Sequence, residues 1–232
     1  MTDEPGLTFY VESAYGRTTL RAEIDALIVA GWTGRDPDAM ETHIRELEAL
    51  GVTRPAATPI FYRVSALRLT QHRRIEVPGT DSSGEVEFVL LRHDGKLYVG
   101  LGSDHTDRRV EAFGITVSKQ MCDKPVAETL WPYDEVRPHW DRLVLRSWID
   151  EAGEATLYQE GPVSGMLDPD LLLATYERQD GALCDGAVML CGTLPARGGV
   201  RYAKHFSCEI EDPVLGRKIT HDYRIDELPV RG

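Results

Sequence analysis

The chain has 232 residues, with 38 acidic against 26 basic side chains and a formal net charge of -12. That balance excludes a phosphate-backbone partner, which requires a basic footprint, and disfavours an anionic membrane surface. No basic N-terminal stretch precedes an apolar segment, and nowhere do about 18 apolar residues run together, so the expectation is a cytoplasmic protein with no nucleic-acid and no membrane partner.

No Pro/Gly/Ser-rich linker divides the chain, which reads as an N-terminal extension, 1–24, followed by a single domain, 25–232. Cys122, Cys184, Cys191 and Cys208 show no Cys-x-x-Cys spacing and read as reduced thiols without zinc. Leu7 to Val11 alternates, and Ala26 to Ala30 is an apolar run that enters the core as a strand. A helix is expected over Pro37 to Leu50, with Asp36 as N-cap, Pro37 at the first helical position and Gly51 just past the end. Met40, Ile44, Leu47 and Leu50 form its apolar sector, with His43 inside the sector and Glu46 at its edge. A histidine there is ordinarily core. Three residues apart on a helix, however, Glu46 can orient the His43 imidazole and raise its basicity.

Beyond Gly51 the signals are mostly β: Ile60 to Val64, Glu85 to Leu91, Leu97 to Leu101, Leu143 to Ile149 and Ala155 to Tyr158, punctuated by Gly, Pro and Asp. A second helix is predicted over Asp168 to Gln179, where Asp168-Pro169 repeats the cap pattern. Two strands, Val200 to Ile210 and Arg217 to Ile225, close the chain.

The stretch Gly84 to Asp104 carries the chemistry. Asp94-Gly95 between β-rich runs signals a two-residue turn with positive φ at both centres. His93 then opposes Lys96, Glu87 opposes Gly102 and Glu85 opposes Asp104. Residues two apart share a face, so the three carboxylates project from one side, with directly opposed Cβ atoms about 4.5–5.5 Å apart. Like charges so placed repel, and three hard oxygen ligands suit Mg²⁺ or Mn²⁺, with Ca²⁺ as a substitute, far better than a thiolate-seeking metal. The alternative is a solvated outer sheet face. Against it, Val89 and Leu91 share the glutamate face while Val86, Phe88 and Leu90 fill the other. This pattern implies burial on both sides, where carboxylates need a partner. His105, adjacent to Asp104, points to the opposite face and is expected to be packed or solvated rather than a ligand. Cys122 reads as a small buried hydrophobe, and Trp131, Tyr133 and Trp140 read as core, contact or pocket aromatics. On spacing alone Lys119 is an ordinary surface lysine near Lys124.

Taken in order, four segments carry a resemblance: Glu85-x-Glu87, Ser103-Asp104-His105-Thr106-Asp107-Arg108-Arg109, Ser118-Lys119-Gln120 and Cys191-Gly192-Thr193-Leu194-Pro195. Together they resemble the fumarylacetoacetate hydrolase family, which reads Glu-x-Glu, Asn-Asp-x-Ser/Thr-x-Arg-Asp, Gly-Lys and Thr-Gly-Thr-Pro. Upstream, His43-Ile44-Arg45-Glu46 with Pro55, Pro59 and Phe61 resembles the lid helix and proline-rich segment of its acylpyruvase branch. The resemblance spans 25–225 and implies an α+β, mainly β fold, a mixed β-sandwich roll with few helices, together with a divalent ion and a homodimer.

By that resemblance Glu85, Glu87 and Asp104 are the metal ligands, and Lys119 holds the substrate's oxyanion or carbonyl, with Lys124 as the substitute. His43 is the general base, paired with Glu46, and Glu111, Gly192 and Thr193 contact the substrate. The implied reaction is hydrolytic carbon–carbon cleavage of a small 2-oxo or 1,3-dicarbonyl carboxylic acid, acylpyruvate-like, through a metal-stabilised enolate. Related members with the same site decarboxylate, isomerise or dehydrate, and a catalytically silent ligand-binding member is the rival from another class. Three departures from the pattern mark a divergent bacterial branch: Ser103 for Asn, Arg109 for the second acid, and Glu111 where a glutamine is common. They leave the scaffold better supported than the substrate.

Overall fold

The computed structural model describes residues 6–49, 54–151 and 153–231. Walking the chain, β1 (Leu7–Ser13) and β2 (Gly16–Ala22) form a hairpin, followed by β3 (Ala26–Gly31), α1 (Pro37–Ala49), β4 (Ile60–Val64), the short β5 (Leu69–Thr70), β6 (Arg74–Pro78) and the short β7 (Ser82–Ser83). The central hairpin is β8 (Val86–His93) and β9 (Lys96–Ser103). After it come β10 (Thr106–Asp107), α2 (Arg108–Glu111), α3 (Ile115–Met121), β11 (Lys124–Pro125), β12 (Thr129–Pro132) and α4 (Tyr133–Val136). The remainder is β13 (Val144–Glu151), β14 (Glu154–Pro162), α5 (Pro169–Asp180), β15 (Ala187–Thr193), β16 (His205–Asp212) and β17 (Arg217–Leu228).

Two sheets hold the molecule together. The larger has eight strands in the order β2-β1-β12-β9-β8-β15-β3-β4, and the smaller has five, β14-β13-β16-β17-β6. Both mix parallel and antiparallel pairs: β1 with β12, β15 with β3 and β17 with β6 run parallel. Val86, Phe88 and Leu90 face the smaller sheet, packing with Leu145, Phe206, Ile210 and Tyr223, whereas Val89 and Leu91 join Leu27, Val29, Val188 and Leu190 on the other face. Burial of each such Leu or Phe contributes about 1.5–3 kcal/mol relative to exposure. The glutamate-bearing strand is therefore buried on both sides, as its sequence implies, and the solvated-face alternative is excluded for Glu87 and Asp104, which are 2% and 0% exposed.

The predicted turn forms with Asp94 at φ 49° and Gly95 at φ 69°, and the register is the expected one, His93 opposite Lys96 and Glu87 opposite Gly102. Both predicted helices also form. Asp36 Oδ1 accepts from the Asp38 and Ala39 N–H groups, and Asp168 Oδ1 accepts from that of Leu171. The expected C-terminal end of α1, at Leu50 and Gly51, lies outside the described residues. The hairpin within the expected extension, 1–24, supplies β1 and β2 to the edge of the larger sheet and buries Phe9 and Val11.

Several elements differ from the sequence expectation. β15 was not foreseen, because Ala187-Val188-Met189-Leu190-Cys191 is uniformly apolar and has no period; it lies between β8 and β3, covered on both faces. The strand expected from Val200 begins only at His205. β2, β6, β12 and the short helix α3 likewise form beyond the elements expected from the sequence. The four cysteines are free, three of them buried, and no described helix is long and apolar enough to cross a membrane.

Candidate metal centre

Three carboxylates converge at the end of the central hairpin. One ligand oxygen each from Glu85, Glu87 and Asp104 lie within 4.8 Å of one another. Hard divalent cations hold oxygens at about 2.0–2.6 Å, so ligands on opposite sides of such an ion stand about 4–5 Å apart and the cluster has the span and chemistry of an oxygen-coordinated cation site. The hairpin register sets the face, and the Asp104 N–H closes the strand end by donating to the Glu85 carbonyl at 3.0 Å.

The donors around the trio are unequal. Glu87 Oε2 accepts the Gly192 N–H at 2.7 Å. Gly192 is at φ 100°, and an added Cβ would lie 1.8 Å from Thr33 Oγ1, so only glycine can present that N–H here. Asp104 is gripped by two lysines: Lys124 Nζ is 3.1 Å from Oδ1, and Lys119 Nζ donates to Oδ2. Lys124 is fully buried and also donates to the His105 carbonyl at 2.5 Å. Gly102 allows this approach, because a Cβ there would meet the Pro125 carbonyl at 2.9 Å. Arg108 links the rim: Nε donates to Ser83 Oγ at 2.7 Å and Nη1 to Glu111 Oε2 at 2.9 Å, while Nη2 lies 3.1 Å from Glu85 Oε1.

Burial and like charges shape the titration of the trio. Burial, followed by the charges of Asp104 and Glu85, raises the Glu87 carboxyl well above the usual range. Burial raises Glu85 too, with Arg108 opposing. Burial also works against an ionised Asp104, but Lys119 and Lys124 outweigh it and hold that carboxyl below its ordinary value. Lys119, although desolvated, is held above the usual lysine range by Asp104 and Glu85. The arrangement has the donors to hold a cation, and the Lys119 ammonium stands beside the carboxylates.

Of the residues singled out in the sequence, Glu85, Glu87, Asp104, Lys119 and Glu111 come together. Glu111 is not a bare second anion, because Arg108 pairs with it. The Gly192 N–H is engaged by Glu87, and the Thr193 hydroxyl donates to the Val86 carbonyl at 2.8 Å while accepting from Gln159 Nε2 at 2.8 Å, so this geometry gives both residues a positioning role. His43 and Glu46 lie on α1, but their side chains are outside the described residues. Three contributors were missed or undervalued. Lys124 was only a substitute for Lys119, yet both reach Asp104. Arg108, four residues after Asp104 in the same motif, pairs with both Glu85 and Glu111. Gln159, which also accepts the Val86 N–H at 3.0 Å, carried no sequence signal.

The flanking residues behave as expected. His105 is buried and turned away from the trio, its ring nitrogens each 2.9 Å from Tyr223 Oη and Ser82 Oγ, and burial pushes its pKa down to about 3. Cys122 is fully buried with its thiol pushed up to about 11 by burial, as suits an inert side chain. Trp131, Tyr133 and Trp140 are core.

Similar architectures are known. Yeast ynq8, a fumarylacetoacetate hydrolase family protein, superposes with TM-score 0.62 at 16% identity over 90% of this chain and 97% of its own. A Burkholderia cenocepacia protein provisionally assigned as a fumarylpyruvate hydrolase gives TM-score 0.64 at 17% identity, covering 99% and 94%. A 2-keto-3-deoxy-D-arabinonate dehydratase, solved with magnesium and 2,5-dioxopentanoate, gives 0.62 at 14% identity, covering 91% and 77%. No curated protein matches the chain in sequence. The fold is that of the fumarylacetoacetate hydrolase proteins, as the motif order implies, and the family model matching residues 30–223 shows that the chain belongs to the family described as "Protein of unknown function (DUF2848)".

Proposed function

We propose that this protein is a cytoplasmic, homodimeric, divalent-metal-dependent enzyme that cleaves a carbon–carbon bond hydrolytically in a small 2-oxo or 1,3-dicarbonyl carboxylic acid. The observation that carries the reading is the trio Glu85, Glu87 and Asp104, the last two buried and Glu85 half-buried, with ligand oxygens within 4.8 Å of one another. Mg²⁺ or Mn²⁺ held there supplies a Lewis acid for the substrate's 2-oxo group. Around it Gly192 fixes Glu87, Arg108 fixes Glu85 and compensates Glu111 at the rim, and the Lys119 ammonium stands ready for a developing oxyanion. We assign activation of the attacking water to His43, oriented by Glu46 on α1. A second reading, dehydration of a 2-oxo acid on the same carboxylates, is favoured by the likeness to the arabinonate dehydratase.

The test begins with calorimetric titration of metal-free protein with Mg²⁺ and Mn²⁺, with Glu87→Gln as control. Saturable binding that the variant loses supports the site. Acylpyruvates and 2-keto-3-deoxy sugar acids are then offered to the loaded protein with mass-spectrometric detection, which separates hydrolysis from loss of water. Absence of binding, or equal binding by both proteins, overturns the proposal.

A further inference from the structure

We propose that Lys119 is an exchangeable counter-ion: it holds the Asp104 oxygen that a divalent cation requires, and when the cation takes that oxygen the ammonium passes to the incoming oxo acid. The inference rests on the metal reading above and turns on how Asp104 is divided between its partners. Oδ1 is 3.1 Å from Lys124 Nζ and 3.3 Å from Thr106 Oγ1, which donates to it. Oδ2 accepts from Lys119 Nζ. A cation drawing on Asp104 therefore takes Oδ2, the oxygen with the less fixed donor.

The two lysines differ in their freedom to move. Lys124 has no exposure and is tied a second time to the His105 carbonyl. Lys119 is on the last turn of a seven-residue helix, and its side chain keeps 7% exposure. Its Nζ lies 5.7 Å from the centroid of the Tyr62 ring, whose face offers the ammonium a secondary partner away from Asp104. The cost of leaving Asp104 is thereby reduced, and the charge stays at the site, where an anionic ligand can use it. A cation and Lys119 then compete for one oxygen, whereas an oxo acid and Lys119 attract. One substitution should move the two affinities in opposite directions, which a merely structural lysine would not do.

The experiment titrates Mn²⁺ into metal-free wild type, Lys119→Met and Lys119→Arg, and then titrates 2-oxopentanoate into the Mn²⁺-loaded proteins. A full charge a few ångströms from the ion corresponds to more than a tenfold change in affinity at protein-like screening. Lys119→Met is therefore expected to bind Mn²⁺ at least about tenfold tighter and 2-oxopentanoate at least about tenfold weaker, with Lys119→Arg near wild type in both. If Lys119→Met does not fold by circular dichroism, Lys119→Gln takes its place. Mn²⁺ binding that is unchanged or weaker in the neutral variant overturns the exchange while leaving the metal reading intact, and so does unchanged 2-oxopentanoate binding. If neither wild type nor the neutral variant binds Mn²⁺, both readings fall together.

Discussion

Two buried carboxylate systems in this molecule are built on opposite rules. At the β16–β17 turn, Asp212 is fully buried, and Oδ1 accepts the Val214 and Leu215 N–H groups at 3.0 and 3.1 Å and lies 3.0 Å from His139 Nε2, while Oδ2 takes Arg217 Nε at 3.3 Å. Arg217 in turn reaches Glu135 at 2.9 Å and the Glu12 carbonyl at 3.1 Å, tying the smaller sheet to the edge of the larger. Burial works against ionised Asp212, but the backbone donors and His139 outweigh it, and its pKa falls below the usual value. Glu87 receives the Gly192 N–H at 2.7 Å, faces two like charges, and its pKa rises. A carboxylate saturated by fixed donors holds structure together, whereas one left partly open beside others has room for a cation.

The sharpest way to break this comparison is to neutralise one member of each system. Glu87→Gln should abolish saturable Mn²⁺ binding by calorimetry while the fold, followed by circular dichroism, persists. Asp212→Ala should do the reverse. It deprives the Val214 and Leu215 N–H groups and the half-buried Arg217, which keeps Glu135, of an acceptor, and its stability by urea unfolding should drop by about 1–3 kcal/mol, the range for buried donors left unsatisfied. Mn²⁺ affinity of the folded variant should be unchanged. If Asp212→Ala lost the metal site as well, the two systems would not be independent.

A smaller effect concerns pH, and here the two systems should have opposite signs. Glu87 titrates higher folded than unfolded, so its contribution to the stability of the metal-free protein is full below about 4.5 and is lost as pH rises through the raised value. Asp212 titrates lower when folded, so its contribution is present above about 3.8 and is lost as pH falls through the depressed value. Urea melts of metal-free protein across pH 4–8 should therefore show wild type losing stability relative to Glu87→Gln as pH rises, and saturating Mg²⁺ should stabilise wild type but not the variant. A flat difference would mean that Glu87 carries no raised pKa. Least of all should Arg35→Ala matter: its bidentate pair with Asp141 is 33% and 61% exposed, and the change in urea midpoint should correspond to less than about 1 kcal/mol.

Local signals in the sequence determined the parts of the site that depend on local geometry. Asp94-Gly95 sets a turn, the turn sets the register, and the period of two along a strand puts Glu85 and Glu87 on the face of Asp104 whatever surrounds them. The N-caps of α1 and α5 are equally local, and the motif order sufficed to indicate the fold. Tertiary structure alone decided which cations meet those carboxylates. Lys124 reaches Asp104 because the segment after β11 bridges Gly102, and Gly192 reaches Glu87 because β15 inserts beside β8, 105 residues away in sequence. The pairing of Arg108 with both Glu85 and Glu111, which compensates the departure at position 111, is a property of the folded rim. Titration follows the same division: a sequence supplies the ionisable groups, but burial and the distances between charges, which exist only in the folded chain, push the Glu87 carboxyl up and the Asp104 carboxyl down from their ordinary values.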